Sequence, residues 1–195
     1  MELIAHRRNT IGQLVATPRH LGVEVDIRSQ GRRLVIHHDP FESGEDFEDW
    51  INAYAHGTLI LNTKEEGLER RLLSCMNRRG IEDFFFLDQS VPFLIKTARS
   101  GEKRCAVRLS EYEPLDGVLS LAGMVEWVWV DCFTRFPIGR AQAIQLAQHG
   151  FKLCIVSPEL QGRDPEAGIA DMRALLDREG IAPAAVCTKR VELWA

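Results

Sequence analysis

The sequence has no Cys-x-x-Cys pair, and its five cysteines (Cys75, Cys105, Cys132, Cys154 and Cys187) are an odd number. Both facts argue against a structural zinc site and a disulfide framework. All but Cys75 fall in apolar strand-like runs, where cysteine acts as a small buried hydrophobe. No apolar run is long enough to span a membrane, and the opening MELIAHRRNT has no signal-peptide core. The expectation is a cytoplasmic protein with no membrane span. A basic excess is missing too: the net charge is −4 with histidine neutral, which argues against a general nucleic-acid binder. There is no linker and no low-complexity segment, so the 195 residues are read as a single globular domain, 1–195. Oligomeric state has no signature in the pattern.

What the sequence does have is a repeating unit. Gly22, Gly57, Gly80, Gly101, Gly123, Gly150 and Gly180 each follow a helical pattern and precede an apolar strand-like run. Glycine just past a helix end is the usual left-handed stop. With the opening ELIAHR, this predicts eight strands and seven intervening helices. Thr10 and Asp164 are expected N-caps, with Pro165 in the first helical position. Leu68, Leu72 and Leu73 have core-facing spacing in a third helix. The strands (FFFL, CAV, WVWV, LCIV) are short and apolar, as parallel strands covered on both faces should be. Alternating β and α units predict an α/β fold, a small (β/α)8 TIM barrel with trimmed loops and no final helix required. An open doubly wound sheet is the other arrangement. No glycine-rich phosphate loop follows the first strand, which weakens its dinucleotide-binding form.

A barrel places its active site at the C-terminal ends of the strands. Those ends read His6-Arg7, Glu24 and Asp26, His37-His38-Asp39, Asn62 and Lys64, Asp88, Arg108, Asp131, Glu159 and Lys189. The densest stretch is GVEVDIRSQGRRLVIHHDP, residues 22–40. Glu24 and Asp26 are two apart on a strand, so they share a face.

These residues resemble the motifs of the glycerophosphodiester phosphodiesterase superfamily, which includes phosphatidylinositol-specific phospholipases C. IAHRRNT resembles its His-Arg after the first strand, VEVDI its Glu-x-Asp metal pair, HHDP its His-Asp, and ILNTKEE its carboxylate-x-Lys. The resemblance covers roughly the first third of the chain. It departs at Asn62, where the family has a carboxylate; at Arg8-Asn9, where a glycine often follows His-Arg; and at Thr188-Lys189, in place of Thr-Asp. The resemblance implies a metal-dependent phosphodiester hydrolase, with His6 and His38 as acid and base.

The chemistry of the residue types agrees with that implication. Two adjacent carboxylates repel unless a cation lies between them. A hard divalent ion, Mg²⁺ or Ca²⁺, held by Glu24, Asp26 and the amide oxygen of Asn62 would do this. Pairing with Arg28, Arg32 or Arg33 would also do it. Arg7 and Lys64 are the expected phosphate-binding cations. His6 and His38 exchange protons near neutral pH, and His37 is expected to be structural. Asp39 is either a turn residue or a histidine orienter. Asp88, Asp131 and Glu159 are further pocket candidates, with helix capping as the competing role for Asp88 and Glu159. Trp127 and Trp129 are expected in the core between barrel and helices. The expected partner is a small phosphodiester. Two other readings are a non-catalytic phosphate-binding barrel whose metal site has decayed at Asn62, and another metal-dependent hydrolase. The usual amidohydrolase layout is disfavoured, because the first strand does not end in His-x-His.

Overall fold

The computed structural model describes all 195 residues. Eight parallel strands form the barrel: β1 (Glu2–Ala5), β2 (Gly22–Gln30), β5 (Leu59–Thr63), β6 (Phe84–Leu87), β7 (Ala106–Leu109), β8 (Trp127–Val130), β9 (Lys152–Val156) and β10 (Ala185–Thr188). β10 pairs with β1, and β2 and β5 continue the ladder to β6. On the other side the order runs from β10 through β9 and β8 to β7. The ring closes between β6 and β7 through a single parallel bridge, Phe86 to Cys105. An open doubly wound sheet is thereby excluded.

The seven expected helices lie between these strands. They are α1 (Ile11–Ala16), α2 (Phe47–Asn52), α3 (Glu69–Arg79), α4 (Val91–Arg99), α5 (Leu115–Leu119), α6 (Arg140–Gln148) and α7 (Pro165–Glu179). A four-residue α8 (Val191–Trp194) follows the last strand. Thr10 caps α1 in a reciprocal box with Gln13, and Asp164 caps α7 through the Ala167 N–H. No helix is long and apolar enough to cross a membrane.

Two features differ from the sequence reading. First, β2 runs past the barrel wall, turns at Gly31 and pairs antiparallel with β3 (Arg33–Ile36), which pairs in turn with the short β4 (Glu45–Asp46). This flap puts His37 and His38 at the mouth. Second, five of the seven junction glycines have positive φ, but Gly22 and Gly57 do not. A Cβ on Gly22 would come within 2.7 Å of the Thr58 carbonyl oxygen. Gly22 is glycine because the chain packs closely at the barrel floor, not because the backbone turns left-handed there.

The side-chain alternation of the strands builds two cores. Inside the barrel, Ile4, Ile60, Phe85, Trp127, Trp129, Cys154 and Ala185 belong to one apolar cluster. Phe85 stacks on Trp127 with ring centroids 4.4 Å apart. Both tryptophans are thus core residues, as expected, but they fill the barrel lumen and not its interface with the helices. A second, larger cluster lies between the strands and the helices and includes Leu68, Leu72, Cys75 and Phe84; Leu73 packs at its edge. All five cysteines are buried and unpaired.

Candidate active site at the barrel mouth

The inward alternation that places Ile4, Ile60, Ala106 and Trp129 in the lumen continues two residues further along each strand. Those next inward positions are His6, Asn62, Arg108 and Asp131. On β2 the inward positions are Glu24 and Asp26, both with no solvent exposure. The polar residues at the mouth are therefore the upper layer of the same stack whose lower layer is apolar. They were legible as strand-end residues because a parallel barrel puts all its C-terminal ends on one face.

Asp26 is the most heavily engaged carboxylate. Lys64 Nζ lies 3.3 Å from Oδ1 and Arg7 Nε lies 3.4 Å from Oδ2. Asn9 grips it twice: its amide donates to Oδ2 at 2.8 Å and its oxygen accepts the Asp26 backbone N–H at 3.0 Å. Glu24 Oε2 accepts the Arg7 backbone N–H at 2.7 Å, and Oε1 accepts from the Asn62 amide at 2.9 Å. Neither carboxylate pairs with Arg28, Arg32 or Arg33. Arg28 instead donates to the His38 carbonyl at 2.8 Å and faces Glu65.

The ion pairs continue around the mouth. Lys64 is 2.9 Å from Asp88, Asp88 pairs with Arg108, and Arg108 reaches Asp131 at 3.0 Å. Asp88 does not cap α4, whose N-cap is Ser90. Burial opposes the charge on Asp88, but Lys64 and Arg108 outweigh it and hold the carboxyl below its usual range. Asp131 shifts the other way, because its burial outweighs Arg108. Glu159 serves the far side: it accepts from the Thr188 hydroxyl at 2.6 Å and the Lys189 N–H at 2.9 Å, and it receives the Ser157 hydroxyl. Two of the three non-glycine residues with positive φ are Arg7 and Asp88, each placed just after a barrel strand. Such strain commonly collects at functional sites.

His6 Nε2 is 3.7 Å from Glu24 Oε2. Burial, followed by the positive charges of Arg7, Lys189, Lys64 and His38, pulls the His6 ring down to about 3. Burial and then the neighbouring Asp26 charge push Glu24 up to about 8. His38 stands at the rim and lines the same cavity as Arg7 and Asn9. Its Nδ1 is 2.8 Å from Asp39 Oδ1, so Asp39 acts as the histidine orienter. His37 lines this cavity too, and its Nδ1 lies 3.1 Å from the Asp39 backbone N–H.

The donor set at Glu24, Asp26 and Asn62 suits a hard cation. All three are buried oxygen donors, and Asp26 Oδ1 and Asn62 Oδ1 have no hydrogen-bond partner. No group of three or more His, Cys, Asp or Glu side chains is arranged to hold a metal. The third ligand would have to be the Asn62 amide. Lys64 already stands against Asp26 and would compete with an added cation.

No family model matches the sequence, and no curated protein matches it. Solved structures do match the fold. A glycerophosphodiester phosphodiesterase from Agrobacterium tumefaciens aligns over 100% of this chain and 99% of its own, with TM-score 0.67 and 13% identity. Two structures of such enzymes from Parabacteroides distasonis align over 98% and 96% of this chain and 93% and 82% of their own. Their TM-scores are 0.62 and 0.64, with 12% and 13% identity. The chain shares their fold. The likeness of fold covers the whole chain, including the two-thirds of the sequence that carry no motif.

Sequence reasoning missed the role of Asn9, which holds Asp26 from both sides. Asn9 stands in the segment where the family often has glycine, and that departure was its only signal. Gln161 was missed as well; its amide contacts Asp131 from the 3-10 turn of residues 158–161.

Proposed function

We propose that the chain is a phosphodiester hydrolase acting at this mouth, on a small substrate. The supporting observation is the convergence of Arg7, Lys64 and His6 on the paired carboxylates Glu24 and Asp26, with His38 lining the cavity beside Arg7. Arg7 and Lys64 bind the non-bridging phosphate oxygens, exchanging part of their contact with Asp26 for the substrate. Asn9 keeps Asp26 in place while they do so. His6 takes a proton from the attacking water as its oxygen bonds to phosphorus. His38, oriented through Asp39, delivers a proton to the leaving oxygen. Glu24, Asp26 and Asn62 would hold a Mg²⁺ or Ca²⁺ ion, which supplies charge neutralisation at the phosphoryl group.

A non-catalytic phosphate-binding barrel is favoured by one observation: Asn62 removes a ligand charge while Lys64 stands against Asp26. Hydrolysis of bis(p-nitrophenyl) phosphate, with and without added Mg²⁺ or Ca²⁺, separates the two readings. Turnover that His6→Ala and His38→Ala both abolish supports the enzyme. Phosphate binding without turnover under any metal condition supports the binding barrel.

A further inference from the structure

The seam between β6 and β7 is the weak line of the barrel. The two strands are joined at Phe86 and Cys105 and form no ladder beyond that point. Towards the mouth they part, and a cavity of about 590 Å³ fills the wedge between them, α4 and α5. It lies against the wall of the barrel at this seam. Leu87 and Ala106 line it from the lumen side, and Val107, Leu94, Ile95 and Val118 line it from the helix side. Its polar edge is formed by Asp88, Gln89, Arg108 and Glu113. Asp88 is the residue that holds Lys64, at 2.9 Å. The apolar cavity therefore begins where the proposed phosphate site ends. Val91 and Tyr112 stand at its solvent side, 64% and 71% exposed although both are largely apolar.

A site of about 300–1,000 Å³, mostly apolar with a few convergent charged groups, is the usual form of a small-molecule pocket. The cavity on the other flank of Arg7 is different: it is lined by Asn9, Gln13, His37, His38 and Glu45, with Ile36 its one hydrophobic residue. The two flanks are thus chemically unlike. We propose that the cavity between α4 and α5 receives a hydrocarbon substituent of the bound phosphodiester, so that the preferred substrate is asymmetric, with a polar alcohol on the His38 side and an aliphatic chain on the Asp88 side. This rests on the phosphate-site reading above. It adds a specificity site that the reading itself does not require.

The test is a binding measurement, which does not depend on turnover. Gly117 on α5 lines the cavity, and a side chain added there meets no atom within 4 Å of its Cβ. Gly117→Leu therefore fills the cavity from a helical position that tolerates it. Val91→Asp is the second variant; it places a charge at the exposed first residue of α4. Calorimetry compares inorganic phosphate, octyl phosphate below its micelle concentration, and octanol. In the wild type, octyl phosphate should bind about 100-fold tighter than inorganic phosphate, from the methylenes removed from water. Both variants should reduce that advantage to less than about tenfold and leave inorganic phosphate binding unchanged. Equal affinity for the two phosphates, or an advantage that survives in both variants, overturns the proposal. Octanol binding as tightly as octyl phosphate overturns it too, since the chain site would then be independent of the phosphate. Failure of the phosphodiesterase reading is distinguishable: octyl phosphate would bind as described, with no hydrolysis of any diester.

Discussion

His37 and His38 are adjacent in sequence, line the same cavity and make different contacts. The His37 ring folds onto the backbone of its own loop, while His38 is oriented by a carboxylate at the rim of the mouth. Replacing His38 with Ala should lower turnover by about 10² to 10⁴, the usual range for a lost general acid or base. His37→Ala should cost less than about tenfold on the same scale. Steady-state rates of the two variants on one chromogenic diester decide this, and equal losses would refute the assignment. Asn62 is the other informative residue. An amide contributes an oxygen to a cation but no charge, and affinity for hard divalent ions depends on ligand charge. Asn62→Asp should therefore strengthen Mg²⁺ binding, as read by isothermal titration. If the wild type already binds tightly and Asn62→Asp changes nothing, the third charge comes from elsewhere in the mouth.

At the scale of elements, loops carry the rim of the site, and some are held by unusual contacts. A Cβ on Gly44 would fall on the Ile36 carbonyl. Gly44→Ala should therefore push the His38 loop away from the mouth. Such a displacement is expected to reduce turnover by up to about 10²-fold, with the melting temperature of the barrel little changed. The loop after β8 depends on Glu111, whose carboxylate accepts the backbone N–H groups of Phe133 and Arg135 and both the N–H and hydroxyl of Thr134. Burial opposes the charge of Glu111, but these donors outweigh it and draw the carboxyl down to about 2 from 4.5. A depressed carboxyl binds fewer protons in the folded state than in the unfolded one. Its stabilisation is therefore fully present above about 4.5 and is lost as pH falls towards 2. Urea denaturation of wild type and Glu111→Gln across that window should show the wild-type advantage shrinking with acid. A constant difference would mean the clamp does not depend on the charge.

Across the whole molecule, the ion pairs at the mouth form one ladder from Arg7 through Asp26, Lys64, Asp88 and Arg108 to Asp131. It ties the ends of β1, β2, β5, β6, β7 and β8 together, and it crosses the β6–β7 seam where backbone pairing fails. Lys64 is shared by two carboxylates, one of them fully buried. Lys64→Met should cost about 3 kcal/mol, the lower end for breaking a buried pair, because Arg7 and Asn9 remain on Asp26. Adding Asp26→Asn to that variant should recover part of the loss, since the uncompensated charge is then gone. Denaturant midpoints of the single and double variants provide the check, and strict additivity would show that the two groups are not coupled.

The sequence by itself determined the repeating β-α order, the helix caps at Thr10 and Asp164, and the set of polar residues at the strand ends. These are local properties: they follow from periodicity, from left-handed glycines and from the alternation of a strand. Tertiary structure decided the rest. The antiparallel flap of β3 and β4 could not be counted from the glycine rhythm, because it branches from a strand that had already been counted. Gly22 looked like a helix stop and proved to be a packing position, a distinction set by the Thr58 carbonyl across the barrel floor. The partners of Asp26 are 17, 19 and 38 residues away, since Asn9 and Arg7 lie on the segment after β1 and Lys64 lies after β5. Nearby arginines on the same hairpin were the obvious partners by sequence. Only closure of the barrel, which brings the C-terminal ends of distant strands onto one face, selects Lys64 and Arg7 instead.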